Sequence, residues 1–204
     1  MAITKASILT FVNAAFSAAK TGSDLDIYIQ EALDDLSKMH GLKDEDTTQT
    51  LVSGTTYLDY PDDALDTDQA IITVELTDSS SVRQGSLRRL RGGWDEYIRL
   101  MRHVGSSSRT LPTHMLTHDA KIYLYPIPGA AYTSSIWYYK LHQAIDSGVE
   151  FRDTWAKAIK YGACYYYSLL SASSEYISLW EGRFLVEKEN MRRTISRELM
   201  IEGS

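Results

Sequence analysis

The chain has 204 residues, 44% of them hydrophobic and 24% charged, with 12 Gly and 4 Pro, which excludes disorder and collagen-like repeats. A formal charge of −6 offers nucleic acid and anionic lipid no bulk attraction, although it is compatible with a local basic patch. The single cysteine, Cys164, cannot close an internal disulfide and fits a reducing compartment, and a chain this long buries enough surface to fold without one.

No apolar run approaches the roughly 18 residues that a membrane span needs, so no membrane partner is expected. The first twenty residues imitate a signal peptide, but Thr10 and Asn13 interrupt the apolar stretch from Ile8 to Phe16. Ile8, Phe11, Val12, Ala15 and Ala19 recur at helical spacing and predict an amphipathic helix capped by Thr4 or Ser7. After Thr21-Gly22 the pair Ser23-Asp24 reads as the next N-cap. Leu25, Ile29, Ala32, Leu33 and Leu36 mark one face of a second helix, which Gly41 ends. The short connection predicts an antiparallel helix hairpin.

From Lys43 the texture changes to Thr, Ser, Tyr and Asp, and Pro61 forbids a long helix. Residues 70–76 alternate Ile72, Val74 and Leu76 against Thr73 and Glu75, the pattern of a half-buried strand, and 49–57 is a weaker strand. An Arg-rich stretch follows, broken by Gly92-Gly93. Trp94, Tyr97, Ile98 and Met101 then predict a short helix. Between Thr113 and His142, turns at His118-Asp119 and Pro126-Ile127-Pro128-Gly129 separate three β-rich runs, which predict a three-stranded antiparallel meander.

Beyond Gly148 the helical period returns. Trp155, Ile159, Ala163, Tyr166 and Leu170 mark one helix and Tyr176, Trp180, Phe184, Met191 and Ile195 another, with a break at Ser171 to Ser174. The expected fold is mainly α with inserted β: a four-helix bundle built as helix hairpin, β insertion and helix hairpin, with an extended C-terminal helix. Residues 1–204 then form a single domain. Residues 1–42 and 148–190 are the bundle, 43–147 a β-rich insertion with a short helix near 93–103, and 191–204 a C-terminal extension.

The chemistry-bearing residues do not assemble a reaction. His114 and His118 are the one pair spaced like metal ligands, but residues four apart in a strand-turn segment need not converge, and no second Cys or His cluster follows. The carboxylates, Asp24, Asp62 and Asp63 among them, sit in cap, turn or loop settings that do not shift a pKa for catalysis. The chain lacks a phosphate-binding Gly loop, a Gly-x-Ser-x-Gly elbow and a His-Glu-x-x-His helix. No catalytic residue, metal ligand or cofactor is expected.

Two segments stand out as interaction surfaces. Arg83, Arg88, Arg89, Arg91, Arg99 and Arg102 interleave with Leu87, Leu90, Trp94 and Tyr97. Such a cluster suits an intersubunit contact, in which guanidinium groups meet a neighbour's acidic loops. The alternative for segment 83–102 is an intracellular nucleic-acid-binding or regulatory protein, and a third reading is a solvated face. At the other end, Met191, Ile195, Leu199, Met200 and Ile201 lie on a helix longer than its partner. They either dock on something outside the bundle or fray.

The order of elements resembles the head-to-tail adaptor, or connector, proteins of tailed bacteriophages. The segments that carry the resemblance are Leu58-Asp59-Tyr60-Pro61-Asp62-Asp63-Ala64 leading into Ile71 to Leu76, Trp94-Asp95-Glu96-Tyr97, Ile122-Tyr123-Leu124-Tyr125-Pro126-Ile127-Pro128, and the aromatic third long helix. The resemblance implies a structural virion protein, made in the host cytoplasm, that forms a dodecameric ring at the neck. It implies a portal protein above, a tail or nozzle protein below, and genomic DNA passing through the lumen without sequence-specific binding. An acidic wall would repel phosphate and let the duplex slide, an effect that fades over about 8 Å at physiological salt. Met191, Ile195, Leu199, Met200 and Ile201 would then contact the portal, and Arg83, Arg88, Arg89, Arg91, Trp94 and Tyr97 a neighbouring subunit or the tail.

Overall fold

The computed structural model describes residues 3–39, 41–67, 69–104, 109–171 and 174–202. The chain divides into two compact units, Met1–Leu42 with Leu141–Ser204, and Lys43–Lys140.

The first unit is helical. Helix α1 spans Lys5–Phe16, and its N-cap is Thr4, whose hydroxyl accepts the Ser7 N–H while the Ser7 hydroxyl accepts the Thr4 N–H. Ser17 adopts a left-handed conformation that ends the helix before Ala19. Helix α2 spans Gly22–Ser37, its N-cap lying just before the Ser23-Asp24 pair that the sequence suggests. Thr21 is the N-cap, and Asp24 reaches back to accept its backbone N–H at 3.0 Å and its hydroxyl at 2.7 Å. Leu25, Ile29, Ala32, Leu33 and Leu36 are all buried. Two one-turn 3-10 helices, Ile145–Ser147 and Asp153–Trp155, precede α4 at Ala156–Ser171 and α5 at Ser174–Glu202. Their apolar stripes close the core through Trp155, Ile159, Ala163, Trp180 and Phe184. Phe16 meets Tyr167 edge-on at 4.8 Å, and Phe11 meets Trp180 at 6.2 Å.

Among the described residues, the second unit holds nine strands in two sheets and one helix: β1 (Lys43–Asp46), β2 (Thr50–Leu51), β3 (Tyr57–Asp59), β4 (Ile71–Asp78), β5 (Arg83–Ser86), β6 (Arg88–Arg89), α3 (Gly93–Val104), β7 (His114–His118), β8 (Lys121–Tyr125) and β9 (Tyr132–Tyr139). The first sheet has the order β1-β9-β4-β5, with β2 also paired to β9, and the second the order β3-β8-β7-β6. Leu51, Ile71, Val74, Leu76 and Ile136 from the first sheet and Leu58, Met115, Ile122 and Leu124 from the second share one core. Helix α3 covers the other face of the second sheet, where Leu90, Tyr97 and Leu116 are buried with Trp94 and Tyr123 against them. Met115 and Leu116 therefore point to opposite faces and are both buried.

These two sheets correct the expected mainly α fold, a four-helix bundle with a single β insertion. The β-rich part is two multi-stranded sheets with a helix of their own. The expected meander is also corrected. Strands β7 and β8 form a hairpin, with Asp119 and Ala120 at positive φ in its turn. The free edge of β8 is taken by β3, so β9 has no edge left there and pairs with β4 and β1 in the other sheet. The weaker strand at 49–57 is instead two short pieces, β2 and β3, in different sheets. In β4 a bulge between Ile71 and Thr73 breaks the alternation, so Ile71 is buried and Ile72 exposed.

Candidate interaction surfaces

The Arg-rich segment is split between two places. Arg83 lies on β5, at an edge of the first sheet, where it pairs with Glu75 and the Ser86 hydroxyl shares that carboxylate at 3.1 Å. Arg88 and Arg89 form β6, which runs parallel to β7 with Arg88 opposite His114. The Arg89 guanidinium donates to the Ile71 carbonyl at 2.5 Å. Gly93, at φ +64, then turns the chain into α3, and Glu96 accepts the Gly92 N–H at 2.7 Å. Arg88, Arg89, Leu90, Arg91, Glu96 and His114 line one open groove. Arg99 and Arg102 flank a second with Trp94 and Ile98. Arg88, Arg91, Arg99 and Arg102 are exposed and make no ion pair among the described residues.

The aromatic residues of that segment face inward. Trp94 stacks on His118 at 4.3 Å and on Tyr97 at 5.4 Å, and meets Tyr123 edge-on at 4.9 Å. Tyr97 is only 4% exposed, and burial, then the neighbouring Tyr123, pushes its phenol up to about 12. Tyr97 therefore anchors α3 to the sheet and offers no contact surface, while Trp94 remains half-buried.

Sequence reasoning missed the opposite surface of the same sheet. The end of β3, the loop after it and the β7–β8 turn bring Asp59, Asp62, Asp66 and Asp119 around an open cleft of about 860 Å³, with Thr117 and His118 on its wall. Asp63 turns away, accepting the Tyr138 hydroxyl at 2.7 Å; burial, then that carboxylate, holds the phenol above its ordinary range. The available signal was the Asp59, Asp62, Asp66 run, but the hairpin that adds Asp119 is visible only in three dimensions.

The C-terminal helix also differs from its sequence reading. Met191 is 2% and Ile195 8% exposed, so both belong to the core of the helical unit. A Cβ on Gly41 would lie 2.9 Å from the Met191 Cε, 3.2 Å from Trp155 and 3.3 Å from Phe151, which shows how closely the methionine is seated. Helix α5 stays docked as far as Glu198, which accepts from Arg152 at 2.6 Å. The side chains of Leu199, Met200 and Ile201 lie outside the described residues, as does Ser204. Exposed apolar side chains occur elsewhere on the hairpin: Leu169, Leu170, Tyr176, Leu179, Leu185 and Val186.

A profile of the SU10 adaptor protein family matches residues 3–198, nearly the whole of both units. The chain belongs to the SU10 adaptor protein family. No curated protein matches it. It is a phage adaptor, a class of structural virion component that works with portal and tail proteins. In this adaptor the two sequence-spaced histidines are occupied locally: the His114 ring shares a hydrogen bond with the Thr113 hydroxyl at 2.9 Å, and His118 stacks on Trp94. Among the described residues, no group of three His, Cys, Asp or Glu could hold a metal ion. No described helix of the adaptor is long and apolar enough to cross a membrane.

Proposed function

We propose that this adaptor forms a dodecameric ring at the neck of the virion, between portal and tail, with genomic DNA passing through its lumen, and that it acts by shape without catalysis. The match of the adaptor family over residues 3–198 carries the reading. The distribution of side chains supports it. The charged and apolar groups that remain exposed lie on broad, open surfaces, which suits contacts with other proteins. The segment after Glu198 is the part of α5 assigned to the portal, with Leu199, Met200 and Ile201 as its apolar residues. Met191 and Ile195 hold the base of that segment in the core.

Removing residues 199–204 leaves the described core contacts of α5 in place. Portal binding, read by co-sedimentation with portal assembled from the same phage, should be lost while the melting transition is retained. Undiminished binding rejects the portal assignment. Imaging of the virion neck tests the ring itself: density for this protein between portal and tail is expected, and its absence from purified virions rejects the adaptor reading.

A further inference from the structure

The two charged surfaces of the second sheet belong to opposite edges of one four-stranded layer. Its order is β3-β8-β7-β6, so Asp59 lies on one edge strand and Arg88 and Arg89 on the other. Arg88 and Asp59 also lie at opposite ends of the strands. Asp59 is level with Lys121 and through it His118, whereas Arg88 is level with His114 and Tyr125. Three inter-strand steps and four residues along β7 put Arg88 and Asp59 roughly 20 Å apart. That is more than twice the screening length of about 8 Å at physiological salt, so Arg88 and Asp59 of one copy do not neutralise each other.

We infer that the Arg edge of one copy, Arg88 and Arg91, docks on the Asp59, Asp62, Asp66 and Asp119 cleft of the next copy. The occupant is argued from charge. Arg88 and Arg91 on the basic edge are exposed and make no ion pair among the described residues, with Asp95 and Glu96 the acids of the adjoining helical turn. The cleft carries four exposed aspartates, with Lys121 on the neighbouring strand and His118 on the wall. Guanidinium groups meeting carboxylates across an interface set partner, register and encounter rate. Duplex DNA fits less well, because the aspartates of the same sheet and a net charge of −6 oppose a long polyanion. The two patches are different surfaces, so each copy offers one to each neighbour. Repetition of such a heterologous contact gives a ring where its rotation closes. The inference rests on the ring reading and adds to it the surfaces that meet.

The test is a charge exchange. Variant A carries R88E and R91E; variant B carries D59K and D62K. All four positions are exposed, and matched melting transitions and circular dichroism verify folding. Introduced into the phage, each variant alone should lower the yield of infective particles at least 100-fold. Co-expression of A and B should restore it, because the acidic edge of A then meets the basic cleft of B, and the Arg edge of B meets the Asp cleft of A. Purified wild type at high concentration and low salt should sediment as species larger than a dimer, A and B separately as monomers, and their equimolar mixture like wild type.

Infective virions that contain A or B alone at wild-type levels would overturn the edge pairing and leave the adaptor reading standing. Virions that lack the wild-type protein would overturn the adaptor reading instead. Self-association that stops at a dimer, or that neither exchange alters, rejects the proposed contact. Salt-sensitive DNA binding lost in A, with assembly unaffected, reassigns the Arg edge to nucleic acid.

Discussion

Lys188 on α5 donates to both carboxylate oxygens of Asp35 on α2, at 2.8 and 2.7 Å. The phenol of Tyr166 on α4 also bonds to Asp35; burial first, then this carboxylate, raises the phenol above its ordinary range. Three helices of the discontinuous unit thus meet at one side chain. The Lys188 and Asp35 side chains are about a quarter exposed, so the ion pair is worth no more than about 1 kcal/mol. A double-mutant cycle of Asp35→Ala and Lys188→Ala, read by urea denaturation, should give a coupling of about 0.5–1 kcal/mol. Additive effects would show that the pair contributes nothing.

Gly162 and Gly182 both sit inside helices but predict opposite outcomes. A Cβ on Gly162 would lie 2.8 Å from the Phe184 ring and 2.9 Å from the Ala32 Cβ, whereas one on Gly182 meets nothing within 4 Å. Gly162→Ala should lose about 1–3 kcal/mol through overpacking, despite its gain in helix propensity. Gly182→Ala should gain about 0.5–1 kcal/mol. Thermal melts of the two variants should move in opposite directions; a stabilised Gly162→Ala contradicts the packing described here.

The acid response of the β unit has an assigned contributor. Lys140, largely buried, donates to Asp44 at 2.9 Å and is the main reason that the carboxyl sits below its ordinary value. A depressed carboxylate contributes stability that is complete above the unfolded value near 3.9 and is lost as pH falls through the lower folded value. Asp44→Asn should therefore lower the melting temperature at pH 6 and have progressively less effect towards pH 2.5. A difference that is constant over that range argues against the pair.

Cys164 should be chemically silent in the folded protein. Burial pushes its thiol up to about 12, and the side chain is fully enclosed. At pH 8 a maleimide should label it only as fast as the helices open, and urea should accelerate labelling by orders of magnitude. Prompt stoichiometric labelling of native protein would show that α4 is not seated as described.

Helical faces were legible because a stripe at 3.6-residue spacing is a local property: every apolar residue marked on α2 is buried. Strand partners were not. Nothing within 132–139 tells β9 that β3 already occupies the edge of β8, and β1, with the sequence Lys-Asp-Glu-Asp, has no apolar alternation because it is an edge strand beside β9. The parity of β4 failed at one residue, Ile72, where a bulge inserts an extra position. At the candidate surfaces, the Arg cluster could be read as charge, but its separation into Arg83 on one sheet and Arg88 to Arg91 on the other could not. Met191 and Ile195 looked surplus because Gly41 and Phe151, which the structure brings close to Met191, lie in segments without helical periodicity.

Lys43 is the register partner of Tyr139, so the chain enters and leaves the β unit through adjacent ends of β1 and β9. Every strand of this unit precedes α4 in the chain, so during synthesis Leu25, Ile29 and Leu33 of α2 gain their α4 and α5 partners only after the β unit has been made. The two ends of the adaptor chain can thus complete their common core only once its middle exists.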